Sequence, residues 1–206
     1  MALAVVGSNP IVHTNIMKNR SEYHNLIQNF QIGLEIGVEY GDFTEQILSN
    51  WDGKMVCVDY WEKQNISEYN EPVNYKDFNE MFNHFNQRIK KFEDRVLVVK
   101  NKSNLASKFF HDEYFDFIFI DANHSYLSVK EDMEIWWAKL KKGGLFSGHD
   151  WIKNFIPNQN KEMPIFYNNQ FIGNYGVNSA VEDFCKKKNY NFNVTEEYFG
   201  TWYFYK

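Results

Sequence analysis

Short apolar runs alternate along the chain with stretches whose apolar residues recur every three or four positions. The runs are Gln31–Ile36, Met55–Val58, Val96–Val99, Phe115–Ile120 and Gly144–Phe146. Their near-continuous apolar character predicts strands of a parallel sheet covered on both faces. Between them, Phe78, Phe82, Phe85, Ile89 and Phe92 fall at helical spacing, as do Val129, Met133, Trp136, Trp137 and Leu140. Gly143-Gly144 reads as the stop of the second of these helices. An amphipathic helix is expected over Ser21–Phe30, ahead of the first strand. After the fifth strand, Trp151–Gly176 reads as a long irregular segment. A helix near Val177–Lys187 and two aromatic strands, Tyr190–Thr195 and Tyr198–Tyr205, complete the pattern. The order predicts an α/β fold, a doubly wound, mostly parallel seven-stranded sheet with helices on both faces. The reading is one domain over 1–206, with an N-terminal helical segment over 1–30 and a lid over 151–176. In such sheets ligands sit beyond the carboxyl ends of the strands, so each polar residue just after a strand becomes a candidate.

Composition narrows the classes. Hydrophobic residues make up 44% and aromatics 18% of the chain, which excludes a disordered chain. The net charge of −5 is spread over interspersed acids and bases. That argues against a nucleic-acid or anionic-membrane surface, which needs a basic patch. The one basic cluster, Lys186-Lys187-Lys188, suits the last turn of a helix. Cys57 and Cys185 show no metal spacing, and a reduced, cytoplasmic setting is expected. Met1–Val6 is apolar but too short for a signal peptide and lacks a basic start. No apolar run approaches the ~18 residues of a membrane span.

The first strand runs into GLEIGVEYGDFT, with glycines at Gly33, Gly37 and Gly41. A dinucleotide site needs a glycine in the middle of its turn so that backbone can approach a pyrophosphate. Here that place is Glu39, whose carboxylate repels phosphate and suits a cationic, phosphate-free ligand. S-adenosylmethionine answers that description. The E-x-G-x-x-x-G pattern, with Glu35 at the strand end, resembles the first motif of class I methyltransferases. The second strand ends at Asp59, about 20 residues on, where an acid hydrogen-bonds ribose hydroxyls. Ser103-Asn104 follow the third strand, where the resemblance implies an adenine contact. Taken singly, Glu35 and Glu39 also read as solvated loop carboxylates. The series Gly37, Gly41, Asp59 and Ser103, at successive strand ends, argues for a shared ligand.

Asp121 follows the fourth strand, and His149-Asp150 follow the fifth. If these strands are neighbours, ~4.8 Å apart, Asp121 and Asp150 reach one cation. Two carboxylates plus waters suit Mg²⁺ or Mn²⁺. Adjacent strand residues point to opposite faces, so His149 joins Asp150 only if the strand has already broken there. His124 sits three residues past Asp121 and is a candidate general base for a hydroxyl whose pKa a metal lowers. The bland alternatives are a helix cap for Asp121 or Ser125, a surface loop position for His124 and a turn acid for Asp150.

The stretch IDANHSYLSVKEDMEIWWAKLKKGGLFSGHDW resembles a branch of class I methyltransferases of the form I-D-x-x-H-x-Y…D…W…L…G-G…G-H-D-W/Y. That branch is similar to the metal-dependent O-methyltransferases of sugar hydroxyls in glycosylated products. The resemblance spans Ile32–Trp151. It implies that Asp121 binds the divalent metal, that His124 acts as base, and that His149-Asp150 complete the metal site. The branch usually has an acid where His149 stands. The implied cofactors are S-adenosylmethionine and a divalent metal, Mg or Mn. The implied acceptor is a sugar on a glycan, a nucleotide sugar or a glycosylated small molecule, with a catechol-like phenol or a non-catalytic nucleoside- or glycan-binding domain as alternatives. No nucleic-acid partner and no membrane span are expected, and a homodimer is. Asn, Gln and aromatics are interleaved through Trp151–Gly176, as they are where proteins meet sugars.

Overall fold

The computed structural model describes residues 16–65 and 71–206. Met1–Val6, and with it half of the expected N-terminal segment 1–30, lies outside the described residues. The elements follow in the order β1 (Ile32–Ile36), α1 (Asp42–Leu48), β2 (Lys54–Asp59), α2 (Phe78–Ile89), β3 (Val96–Lys100), α3 (Ser103–Ala106), β4 (Phe115–Ile120), α4 (Tyr126–Trp137) and β5 (Leu140–Ile152). They continue with β6 (Met163–Tyr167), β7 (Gln170–Tyr175), α5 (Val177–Lys188), β8 (Asn193–Val194) and β9 (Phe199–Tyr205).

Seven strands form one sheet in the order β3-β2-β1-β4-β5-β9-β8. The first five run parallel, and β9 pairs antiparallel with β5 and β8. Alternation along the strands feeds two apolar layers. On one face Leu34, Ile36, Ile118 and Ile120 pack with Trp136 of α4 and Val181 and Phe184 of α5. On the other, Phe117 and Phe119 pack with Phe43 and Ile47 of α1 and Phe85 of α2. Trp136 is fully buried, and its truncation to alanine is expected to cost about 3–5 kcal/mol.

Several boundaries depart from the sequence expectation. Ser21–Phe30 is not an α-helix: the chain forms a 3₁₀ helix over Arg20–Leu26. Ile27 N–H bonds the His24 carbonyl three residues back, and the Gln28 amide is drawn to the His24 and Asn50 carbonyls. Trp151–Gly176 is not irregular throughout, because β6 and β7 pair as a hairpin. Asn168 and Asn169 both take positive φ, 48° and 62°, as a two-residue hairpin turn requires. The helix over Val129–Leu140 stops earlier, at Trp137, and Leu140 already belongs to β5. Gly143-Gly144 therefore sits inside β5 rather than ending a helix. Gly143, at φ 76°, donates its N–H to the Lys206 carbonyl. Helix α2 stops at Ile89 and passes into 3₁₀ turns that include Phe92, and only Asn193–Val194 of Tyr190–Thr195 pairs as a strand. Among the described residues no helix is long and apolar enough to cross a membrane.

Candidate active site

The carboxyl ends of β1, β2, β3 and β4 open onto a cavity of about 1030 Å³. Gly37, Glu39, Asp59, Ser103, Asn104, Asp121, His124 and Asp150 all line it, together with Glu35. His149 does not line it.

The turn after β1 is held by its neighbours. Gly37 has φ 84°, and a Cβ added there would stand 2.0 Å from the Asp121 carbonyl oxygen. Gly41 has φ 78°, and its Cβ would press on the Phe85 ring at 2.6 Å. Both glycines are thus required by backbone geometry and close packing, whatever ligand the turn receives. Asp59 Oδ2 accepts the Val38 and Glu39 N–H groups at 2.8 and 3.0 Å, and Oδ1 accepts the Trp61 N–H at 2.9 Å. The Tyr60 N–H adds a further, weaker backbone contact, so the carboxylate is held by the turn on most of its lone-pair directions. Burial raises the Asp59 pKa against the pull of these N–H groups. Glu39, at φ 53°, turns its carboxylate toward Lys76 Nζ at 2.6 Å. Ser103 donates to Asp132, and Trp136 Nε1 donates to Ser103 Oγ at 2.7 Å. Burial pushes the Asp132 carboxyl up to about 7. Glu35 is buried on β1, where the Thr44 hydroxyl donates to it. Burial pushes its pKa up to about 8.

The ends of β4 and β5 meet beside this turn. The two strands pair in parallel, with Ile120 opposite Gly148. Asp150 takes φ 61°, and the β5–β9 register shifts between Gly148 and Trp151. This bulge breaks the alternation and brings the Asp150 carboxylate to the cavity. Ser125, not Asp121, caps α4, accepting the Ser128 N–H. Asp121 instead faces inward. His124 lies between carboxylates: Nδ1 is 2.8 Å from Glu71 Oε2, and Nε2 is 2.8 Å from Asp150 Oδ2 and 3.8 Å from Asp121 Oδ1. Its backbone N–H also donates to Glu71 Oε1, at 3.2 Å, and its ring stacks on Tyr175 at 4.3 Å. Nε2 is buried yet makes no hydrogen bond. The Asp150 oxygen is near but off the direction of a ring N–H, so the contact is ionic. Burial alone would lower the His124 pKa, and the carboxylates of Glu71, Asp150 and Asp121 hold it well above the usual value. Burial favours protonated Asp150, but His124 and His149 hold its pKa well below the usual range.

One ligand atom each from Asp121, His124 and Asp150 lies within 4.8 Å of the others. Two carboxylates and an imidazole with an unbonded nitrogen are a donor set that fits a divalent cation. The trio expected from sequence had His149 in place of His124. His149 Nδ1 stands to one side, 3.4 Å from Asp150 Oδ1 and 3.9 Å from Asp121 Oδ2.

Three residues at the site carry no sequence signal that singles them out. Glu71 precedes a proline in an ordinary loop, Tyr175 sits in the segment read as irregular, and Arg20 opens a bland polar stretch. Yet Glu71 and Tyr175 fix the His124 ring, and Arg20 Nη1 reaches Asp121 Oδ2 at 3.3 Å.

A seven-stranded sheet of this order, with acids and a glycine turn at its carboxyl edge, is the class I methyltransferase fold. Residues 34–151 match the family described as methyltransferase domain. The chain belongs to that family, whose class I members draw the methyl group from S-adenosylmethionine. Solved structures agree in fold. A "putative caffeoyl-CoA O-methyltransferase" from Staphylococcus aureus superposes with a TM-score of 0.61 at 20% identity, covering 89% of this chain and 80% of its own. A "putative O-methyltransferase" from Klebsiella pneumoniae gives 0.56 at 14% identity, over 93% and 80%. A precorrin-6y C5,15-methyltransferase from Geobacter metallireducens gives 0.57 at 14% identity, over 90% and 85%. No curated protein sequence matches the chain.

Proposed function

We propose that the protein is a divalent-metal-dependent O-methyltransferase that methylates a sugar hydroxyl. The observation that carries the reading is the Asp121–His124–Asp150 cluster at the mouth of the donor cavity. When bound, S-adenosylmethionine supplies the methyl group, and a divalent cation acidifies the acceptor hydroxyl.

The chain's own residues do the rest. Asp59, at the end of β2, stands where the ribose would lie, and Ser103-Asn104 border the adenine end. Asp121 and Asp150 would supply the oxygen ligands, and His124 Nε2, left out of the coordination, would face the acceptor hydroxyl beside them. Glu71 anchors Nδ1–H and so fixes the tautomer whose lone pair lies on Nε2. In the cluster without a cation, three carboxylates keep His124 protonated. A cation held by Asp121 and Asp150 would leave Glu71 as the one uncompensated carboxylate facing His124, which would then be free to take the acceptor proton at Nε2. The resulting imidazolium is stabilised by Glu71, in the manner of a buried acid behind a catalytic histidine. Tyr175 holds the ring plane.

The acceptor side supports a sugar over an acyl-CoA ester. Eleven acidic side chains, of which burial keeps Glu35 neutral, line the cavity against two side-chain cations besides the histidine, Arg20 and Lys102. Phosphates would meet repulsion nearly everywhere. Asn123, Ser125 and Asn174 present neutral polar groups, suited to hydroxyls.

The test is methyl transfer from labelled donor to glycosides and to catechols, with Mg²⁺ or Mn²⁺ and with excess EDTA. Transfer to glycosides that EDTA abolishes is expected. Full activity in EDTA would refute the metal role, and methylation of catechols alone would refute the sugar.

A further inference from the structure

We infer that Arg20 binds the α-carboxylate of the methyl donor, closing the methionine end of the cavity from outside the family's shared core. The inference rests on S-adenosylmethionine as donor. Arg20 lies ahead of the matched residues 34–151, so the family pattern says nothing of it.

The backbone of Arg20 is pinned on two sides. Its N–H donates to Glu197 Oε2 at 2.8 Å, and its carbonyl accepts from Gln46 Nε2 at 3.1 Å. From there the side chain passes over the Phe43 ring, with its guanidinium carbon 5.7 Å from the centroid. It lines the cavity beside Glu35 and Gly37, at the end of β1. Among the described residues the guanidinium makes one hydrogen bond, to Asp121 at 3.3 Å. A guanidinium has five N–H donors in a planar fork that matches a carboxylate.

Charge makes the assignment selective. A carboxylate entering this cavity meets acids on most sides. Lys102 is the other lining side-chain cation besides the histidine, but it follows β3, at the adenosine end, with its ammonium over the Tyr60 ring. Segments 1–15 and 66–70 contain no Lys or Arg. Among the described residues Arg20 is left as the Lys or Arg side chain at the methionine end. Asp121 Oδ2 orients the fork while Asp121 Oδ1 faces His124.

The test is calorimetric binding in EDTA of two ligands, S-adenosylhomocysteine and 5′-methylthioadenosine. They share adenosine and sulfur, and only the first has the amino-acid end. Arg20→Met is expected to weaken S-adenosylhomocysteine about ten- to hundredfold, the loss of one charge-assisted contact. It should leave 5′-methylthioadenosine within about twofold, and Arg20→Lys should recover part of the loss. Equal weakening of both ligands by Arg20→Met and Arg20→Lys, or no weakening of either, would overturn the inference while leaving the donor reading intact. Failure of the wild-type protein to bind either ligand would overturn the donor reading and the inference with it.

Discussion

Glu35 is a carboxyl that the fold keeps neutral near physiological pH, and Glu35→Gln should reveal what that costs. Its pKa is raised from 4.5 to about 8, first by burial, against a hydrogen bond from Thr44. Below pH 4.5 both folded and unfolded chains hold the proton, and the group does not bias folding. Above it the unfolded chain ionises while the folded chain stays neutral, so stability falls as pH rises toward 8. Each pH unit in that window costs about 1.4 kcal/mol. Allowing for the rounded ends of the window, the wild type loses about 3 kcal/mol between pH 5 and pH 8 that Glu35→Gln does not lose. The glutamine oxygen can still accept from Thr44, so the two proteins differ mainly in that titration. Other raised acids, Asp132 and Asp59, are present in both and cancel. The assay is chemical denaturation of both proteins at pH 5, 6.5 and 8. The stability difference should grow in favour of Glu35→Gln with each step and flatten above pH 8. For a chain of this size it corresponds to roughly 6–12 °C in Tm. Parallel stability curves, or a wild type that gains on the variant as pH rises, would refute the buried neutral acid.

Other outcomes follow from the same geometry. Glu71→Gln removes the charge behind His124 Nδ1 and should lower kcat about ten- to hundredfold, with S-adenosylhomocysteine affinity within twofold by calorimetry; an unchanged kcat would remove Glu71 from the mechanism. Gly37→Ala must place a Cβ against the Asp121 carbonyl at φ 84°, costing at least about 2 kcal/mol; urea unfolding checks it, and a neutral result would mean that the turn readily rearranges. Asn169→Ala puts a residue without the asparagine amide in the left-handed region of the β6–β7 turn, at about 1 kcal/mol; hydrogen exchange across the hairpin should speed up several-fold.

The parts of the fold legible in the sequence are those that bury a continuous apolar face. Phe115–Ile120 could be read because every residue but Asp116 meets the core, and β4 occupies that range. The β1 and β2 runs were legible for the same reason, whereas β3 is an edge strand with Leu97 exposed and was legible from its apolar run alone. What escaped has local causes. The irregular reading of Trp151–Gly176 overlooked a turn signal, since Asn168-Asn169 between IFY and QFI is hairpin chemistry. Leu140 fits the helical spacing of Val129 and Met133 by coincidence, while its side chain is buried as the first residue of β5. Ser21–Phe30 has a helical apolar period in Tyr23 and Ile27, but its amides and the Gln28 contact with Asn50 hold a tighter coil.

At the site, the legible part was the set of strand ends, and the illegible part was what surrounds them. Asp59 and Asp121 follow apolar runs, so topology alone brought them to one edge. Whether His149 or His124 stands nearer the carboxylates depended on a bulge at Asp150, and nothing in GHDW fixes a positive φ at its aspartate. The bulge matters because an unbroken β5 would send Asp150 to one face and leave Asp121 without a second acid. With the bulge, Asp150 comes within ionic reach of His124, and Glu71 and Tyr175 then have a ring to hold. Arg20 and Tyr175 both come from outside residues 34–151, while the acids and the glycine turn come from within. The shared family core thus supplies the donor turn and the paired carboxylates. The flanking segments add Arg20, Glu162, Asn174 and Tyr175 to the cavity wall.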